Sequence, residues 1–282
     1  MMDKDNQQEK KMKHFSVGCN LEPQDLQDGL RLRRMGIEYY EVGNAVFINE
    51  NHARRVKQLL DDSGIIPWSA HGRYLDRESW PTLEGFKHDC RIAEIYGAKV
   101  IVTHSPSKLE GGAYDLERFS DAAQIASDHG LKMAVETCHL NDNLPYSSTT
   151  YRDLISIIDM LKSDHAGINI DTGHVHVGER RDVETVIDEV GDRLLTLHIH
   201  DNFGTHDDHQ AVGLGFIRWD RVLEALYRSS YEGPLMLELS GMHKERALCK
   251  LLGYDNNAYQ EIAYSYAWLK FNWDELIMKQ KG

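Results

Sequence analysis

Four of the chain's 15 histidines and three aspartates fall within the twelve residues from His198 to His209. They lie inside the stretch LTLHIHDNFGTHDDHQAVGLG, Leu195 to Gly215. It opens with strand-like alternation, which sets Leu195, Leu197 and Ile199 on one side and Thr196, His198 and His200 on the other. It then turns polar, supplying Asp201, His206, Asp207, Asp208 and His209 before closing on Gly213 and Gly215. A single histidine is usually a packed core residue, whereas imidazoles this dense among carboxylates suit a divalent metal. Gly213-Leu214-Gly215 lacks the third glycine of a dinucleotide fingerprint and follows a late strand; it reads as a turn, or as a phosphate-binding loop.

The elements that must position these groups alternate along the chain. Apolar, β-rich runs are predicted at Phe15–Asn20, IEYYEVG (ending near Glu41), IIPWSAHG, AKVIVTHS, LKMAVETCH, AGINIDTGH, the stretch above, and PLMLELSG. Amphipathic helical runs lie between them, among them 50–63 capped by Gly64, 82–96 before Gly97, and 182–190 before Gly191. Pro23 opens the first helix, and the last spans about Ala258–Phe271. Eight strand-then-helix units without a dividing linker predict a parallel sheet closed into a single-domain α/β (β/α)8 TIM barrel over residues 14–282, preceded by a polar tail, 1–13. His71, His104, Glu136, Asp171, His198 and Glu238 then sit at C-terminal strand ends, the rim where catalytic groups of this fold converge.

Composition narrows the function. Net charge is −13, from 32 basic and 45 acidic residues, so nucleic acid and anionic membranes are not the expected partners. Mean hydropathy is −0.52, no apolar run is long enough to span a bilayer, and the start, MMDKDNQQEKKMK, has no apolar stretch behind it. Cys19, Cys90, Cys138 and Cys249 are widely spaced, as reduced thiols of a cytoplasmic protein would be. Oligomeric state is open, with a homo-oligomer compatible.

Glu136, Asp171, His198 and Glu238 come from the fifth to eighth strands and form a mixed oxygen and nitrogen donor set. One divalent cation, Mn²⁺, Co²⁺, Mg²⁺ or Zn²⁺, suits it better than a soft thiolate-bound metal. Spacing does not separate His198 from His200, which faces the same way. Trp68, Tyr74 and Trp219 are candidates for stacking on a ring or for the core, and Arg73 is a candidate contact for an anionic or polar substrate group.

The ordered set HG (71–72), THS (103–105), VET (135–137), DTGH (171–174), HIHD (198–201), DDH (207–209), GLG (213–215) and LEL (237–239) resembles the xylose-isomerase-like barrel superfamily. Sugar-phosphate isomerases and epimerases, ketose 3-epimerases, inosose-processing enzymes and endonuclease-IV-type apurinic endonucleases belong to it. The resemblance covers nearly all of the chain after the tail. It implies that Glu136, Asp171, His198 and Glu238 are the metal ligands, His198 opening the family's H-x-x-D/E pattern. His174 matches a position that contacts a substrate hydroxyl in the epimerases. With a small sugar-derived substrate, the cation stabilises an enediolate while Glu136 and Glu238 exchange protons with opposite faces of one carbon, giving epimerisation or isomerisation. His174 and His200 are candidate hydrogen-bond partners of the substrate oxygens; alternatively both glutamates serve as ligands only.

The same resemblance implies a rival, an endonuclease-IV-type enzyme with up to three Zn²⁺. His71, His104 and Glu136 would form one site, the four residues above a second, and His174, Asp207 and His209 a third. HGRYLDRES replaces the endonucleases' apolar loop after the first histidine, and rim loops with interleaved basic and aromatic residues are lacking. The arginine that ketose 3-epimerases carry after the ligand histidine is replaced by DNFGTHDD, which departs from a simple free-ketose site. An inosose or keto-sugar dehydratase or lyase and a non-catalytic sugar-binding barrel are further readings.

Overall fold

The structure, a computed structural model, describes residues 14–43, 45–73, 83–104, 114–138, 149–239 and 258–281. The tail 1–13, Tyr74 and Cys249 lie outside them. Eight strands close into one parallel barrel in sequence order: β1 (Val17–Cys19), β2 (Ile37–Val42), β3 (Ile66–His71), β4 (Val100–His104), β5 (Lys132–Glu136), β6 (Ala166–Asp171), β7 (Leu194–Ile199) and β8 (Leu235–Leu237). The pairing of β1 with β8 closes the ring. Around it run α1 (Leu26–Arg34), α2 (Glu50–Ser63), α3 (Leu83–Tyr96), α4 (Leu116–Asp128), α5 (Tyr151–Leu161), α6 (Val183–Val190), α7 (Trp219–Arg228) and α8 (Ala258–Lys281). No described helix is long and apolar enough to cross a membrane.

The helices stop and start where backbone groups find partners. Asn49 accepts from the His52 N–H to open α2, and Gly64, at φ 72°, closes it in the left-handed conformation. Thr150 and Asp153 form a reciprocal capping box on α5. The first helix begins three residues after Pro23, because the Asp25 side chain accepts from the Asp28 N–H and sets the boundary. The last continues past the expected Phe271 to Lys281, since Leu269, Trp273 and Leu276 carry the buried stripe onward and no glycine or proline interrupts it.

Among the described residues there are two separate apolar packings. Outward-facing strand residues such as Val135, Ile168, Ile170, Leu197 and Ile199 meet helix faces in one continuous core. Each such aliphatic side chain contributes roughly 1.5–3 kcal/mol by burial. Inside the barrel, Val100, Val102 and Ala134 pack with Trp68 and Leu195 as a small apolar plug. Leu195 thus leaves the side expected for it. Ile168 pairs with Leu194 and Asn169 with Thr196, so Leu195 is the extra residue of a bulge and turns inward. Thr196, His198 and His200 keep their shared side, and all three are fully buried. Towards the C-terminal end the lumen turns polar, with Glu41, Ser69, Glu136, Asn169, Asp171 and His198 buried.

Candidate active site

The polar end of the lumen is a layer of carboxylates interleaved with imidazoles. Glu136 ends β5, with its side chain 1% exposed. Its Oε1 lies 2.7 Å from His198 Nδ1, and its Oε2 lies 3.3 Å from His104 Nε2 and 3.6 Å from His71 Nε2. Asp171 ends β6 and caps the short helical turn Thr172–His174, accepting from the His174 N–H at 2.7 Å. Glu238 follows β8, and its Oε2 lies 3.2 Å from His198 Nδ1. Glu136, Asp171, His198 and Glu238 each offer a donor atom within 4.8 Å of one another. His198 is the imidazole of that group. His200 instead sets Nε2 3.0 and 3.1 Å from the two Asp171 oxygens and stacks on His209 at 3.9 Å.

The remaining predicted residues converge on the same mouth, with one exception. His174 and His209 approach Asp207 Oδ2 through Nε2, at 3.3 and 3.1 Å, and the three form a further donor group. His71 and His104 lie ring to ring at 4.8 Å beside Glu136. Arg73 differs: its Nε and Nη2 grip both oxygens of buried Asp89 on α3, at 2.7 and 2.9 Å. That edge of the guanidinium therefore anchors the segment after β3 to α3.

Backbone carbonyls set the direction of three imidazoles. Nδ1 of His71, His174 and His209 donates to Gly72 O, Thr137 O and Glu238 O, at 3.2, 2.8 and 3.0 Å. For His71, His174 and His209 this leaves Nε2 facing a carboxylate, as a metal-ligating histidine is commonly arranged.

Two buried residues absent from the predicted site join it. Glu41, on β2, places Oε2 3.0 Å from His198 Nε2 and accepts from Ser69 Oγ at 2.6 Å. Asn169, on β6, spans Glu136 Oε1 and His198 Nδ1 with Nδ2, at 3.2 and 3.1 Å. Glu41 had a sequence signal, since IEYYEVG puts a carboxylate near a strand end. Asn169 had none, because a mid-strand asparagine is an unremarkable polar residue until its neighbours are known.

Other polar and aromatic residues serve the frame. Asp201 accepts from the N–H groups of Asn202, Gly213 and Ile217 and from Trp219 Nε1, and so holds the loop that carries Asp207 and His209. A Cβ on Gly215 would lie 2.3 Å from Asp201 Oδ1, so this part of GLG packs against that hub. Trp219 is buried, and Trp68 donates to Thr196 Oγ1 beside the apolar plug. Cys19 and Cys90 are buried free thiols, and Cys138 is buried as well.

Electrostatics favour a cation here. The ion-pair partners that the described residues give Glu41, Glu136, Asp171, Asp207 and Glu238 are all imidazoles. Burial alone would depress the histidines, yet Glu136 pushes His71 up to about 9, and Asp207 with Glu238 pushes His209 up to about 9. His174 and His198 rise well above the ordinary range for the same reason. His104 falls to about 3, because burial outweighs the pull of Glu136. Burial would raise Glu136 and Glu238, but His198 holds both below the usual carboxylate range. Among the described residues, positive charge reaches this layer as protons on imidazoles, and a metal could take their place. Hard carboxylate oxygens with an imidazole fit a divalent ion of the Mn²⁺, Co²⁺, Mg²⁺ or Zn²⁺ type.

A family model described as xylose isomerase-like TIM barrel matches residues 30–270. The chain belongs to this family. Relatives include an uncharacterized protein of Sinorhizobium fredii, 28% identical over 64% of this chain and 61% of its own length, so the chain spans under two thirds of it. A ketose 3-epimerase of Arthrobacter globiformis is 24% identical over 55% of this chain and 52% of its own. A protein named probable endonuclease 4, from Mycoplasma mobile, is 21% identical over 73% and 77%. Among solved structures, 3-keto-D-glucoside 4-epimerase from E. coli superposes with a TM-score of 0.68 at 19% identity, covering 92% of this chain and all of the other. An L-ribulose 3-epimerase does so with a TM-score of 0.72 at 14% identity, covering 95% and 97%. At such identities these structures establish the family's shared barrel.

Proposed function

We propose that this protein is a divalent-metal-dependent isomerase or epimerase of a small sugar or sugar phosphate. The observation that carries the reading is the meeting of Glu136, Asp171, His198 and Glu238 within one coordination radius at the rim. Similarity to a ketose 3-epimerase and the barrel shared with sugar epimerases support it. A cation held by these four residues would supply Lewis-acid stabilisation of negative charge on a substrate oxygen.

The chain's own groups would then move the protons. With a cation on His198 Nδ1 in place of a proton, Glu136 and Glu238 would both be ionised, and either could accept a proton from the carbon next to the substrate carbonyl. Return from the other glutamate to the opposite face of that carbon gives an epimer; return to the neighbouring carbon gives an isomer. Glu238, 15% exposed, faces the mouth, whereas Glu136 is sealed among histidines. His174 and His200 would steady the substrate oxygens. The test is incubation of the metal-loaded protein with a panel of ketosugars in deuterated water, followed by NMR. Solvent deuterium at the carbon next to the carbonyl is expected. Its absence across a broad panel would overturn the proposal in favour of a lyase, a dehydratase or a sugar-binding barrel.

One observation favours a second reading. His174, Asp207 and His209 form their own donor group, and His71 and His104 flank Glu136, so the three-zinc arrangement of an apurinic endonuclease has residues for every position. Three tightly held zinc ions per chain and cleavage of abasic DNA would establish it. One exchangeable ion and intact DNA are expected instead, given the net charge of −13.

A further inference from the structure

We infer that Glu41 is a positioning residue that fixes the orientation and tautomer of His198, and through it the metal affinity of the four-residue centre. The inference rests on the metal-binding reading above. It starts from an asymmetry among the histidines. Backbone carbonyls hold His71, His174 and His209 by Nδ1, which turns Nε2 inward. His198 is reversed: Nδ1 faces Glu136, Glu238 and the Asn169 amide nitrogen, and Nε2 points away towards Glu41.

That reversal creates a problem which Glu41 solves. Two inward carboxylates, at 2.7 and 3.2 Å, attract a proton to His198 Nδ1, the nitrogen whose lone pair a cation needs. A carboxylate 3.0 Å from Nε2 keeps the proton on that nitrogen instead and frees Nδ1. Glu41 reaches His198 from β2, with β8 and β1 lying between their strands in the ring, so the contact crosses the lumen. Both side chains are at most 1% exposed, where an uncompensated carboxylate would be costly. Ser69 Oγ donates to the same Oε2 that faces His198 and holds the carboxyl group in place. Among the described residues Glu41 Oε1 is buried without a hydrogen-bond partner, and His198 and Ser69 supply the contacts of the other carboxyl oxygen.

The experiment compares wild type with Glu41→Gln and Glu41→Leu, using cobalt(II) and zinc as probes. Titration calorimetry measures affinity, and long-range proton–nitrogen NMR of the zinc form identifies the coordinating nitrogen of His198, assigned by the signal missing from His198→Asn. Circular dichroism confirms folding, and Glu41→Gln preserves side-chain size. Cobalt affinity is expected to fall about 10-fold in Glu41→Gln and about 100-fold in Glu41→Leu, the range typical of outer-shell partners. Wild-type His198 should coordinate through Nδ1 with Nε2 protonated, and the variants should lose that signature. Affinities within twofold of wild type, with Nδ1 still coordinating, would overturn the role of Glu41 alone. A wild-type protein that binds neither ion would overturn the metal reading together with it.

Discussion

Single side chains divide into those that form the proposed centre and those that hold its neighbours. Asp171 does both, offering oxygen to the donor group while capping the turn that places His174. Asp171→Asn keeps that cap's size and one acceptor but removes charge. It should cut cobalt affinity by more than the roughly 10–100-fold typical of an outer-shell change, while circular dichroism stays unchanged. Calorimetry showing unaltered affinity would remove Asp171 from the centre. Gly173 makes a steric prediction. A Cβ there would lie 1.9 Å from His200 Cε1, so the buried imidazole fits only because the side chain is missing. Gly173→Ala should cost about 1–3 kcal/mol by overpacking. An unchanged urea midpoint would show that the ring moves aside freely.

At the scale of elements, the loop from β7 to α7 depends on one buried carboxylate. Asp201 gathers three backbone N–H groups and one indole N–H, and Asp207 and His209 ride on the loop so fixed. Asp201→Asn puts a donor where acceptors are needed and should cost about 1.5–3 kcal/mol in chemical denaturation, the worth of a hydrogen bond to a charged group. A second element-level prediction concerns the turn after His174. Burial pushes Glu179 up to about 7, although it accepts from the Tyr151 N–H at the start of α5. A carboxyl raised on folding adds stability below its ordinary value near 4.5 and loses that contribution as pH rises through about 7. Glu179→Gln should therefore melt above wild type at pH 8 and show no such advantage at pH 4.5. Equal gains at both would mean that the charge of Glu179 is not what matters.

For the molecule as a whole, Glu41, Glu136, Asp171, Asp207 and Glu238 meet where the barrel opens, and a cation bound there should stabilise the fold. At a free concentration 100 times its dissociation constant, a ligand specific to the folded state adds roughly 2.7 kcal/mol. For a chain of this size that is about 5 °C in Tm. Stripping the protein with a chelator should lower Tm by that amount, and Mn²⁺ or Co²⁺ should restore it. A melt insensitive to both treatments would show that protonated histidines balance the carboxylates instead.

The barrel was legible because strand and helix periods are local, and because the alternation of eight units leaves few ways to close a sheet. Once it closes, strand-end residues must meet at one rim. That is why His71, His104, Glu136, Asp171, His198 and Glu238 could be named from their places in successive strands. Other features depend on register and on distances across the lumen, which no local pattern carries. A bulge opposite Ile168 and Asn169 turned Leu195 inward while leaving His198 in phase. Closure brought Glu41 to His198 across 157 positions of sequence, and it drew Asp201 away from the donor set into the loop behind it. Which imidazole of His198 and His200 joins the three carboxylates was likewise decided in three dimensions. Register tells them apart: His198 pairs with Asp171 on β6 and groups with the three carboxylates, whereas His200 lies past the end of β7 and groups with His209 and Glu238.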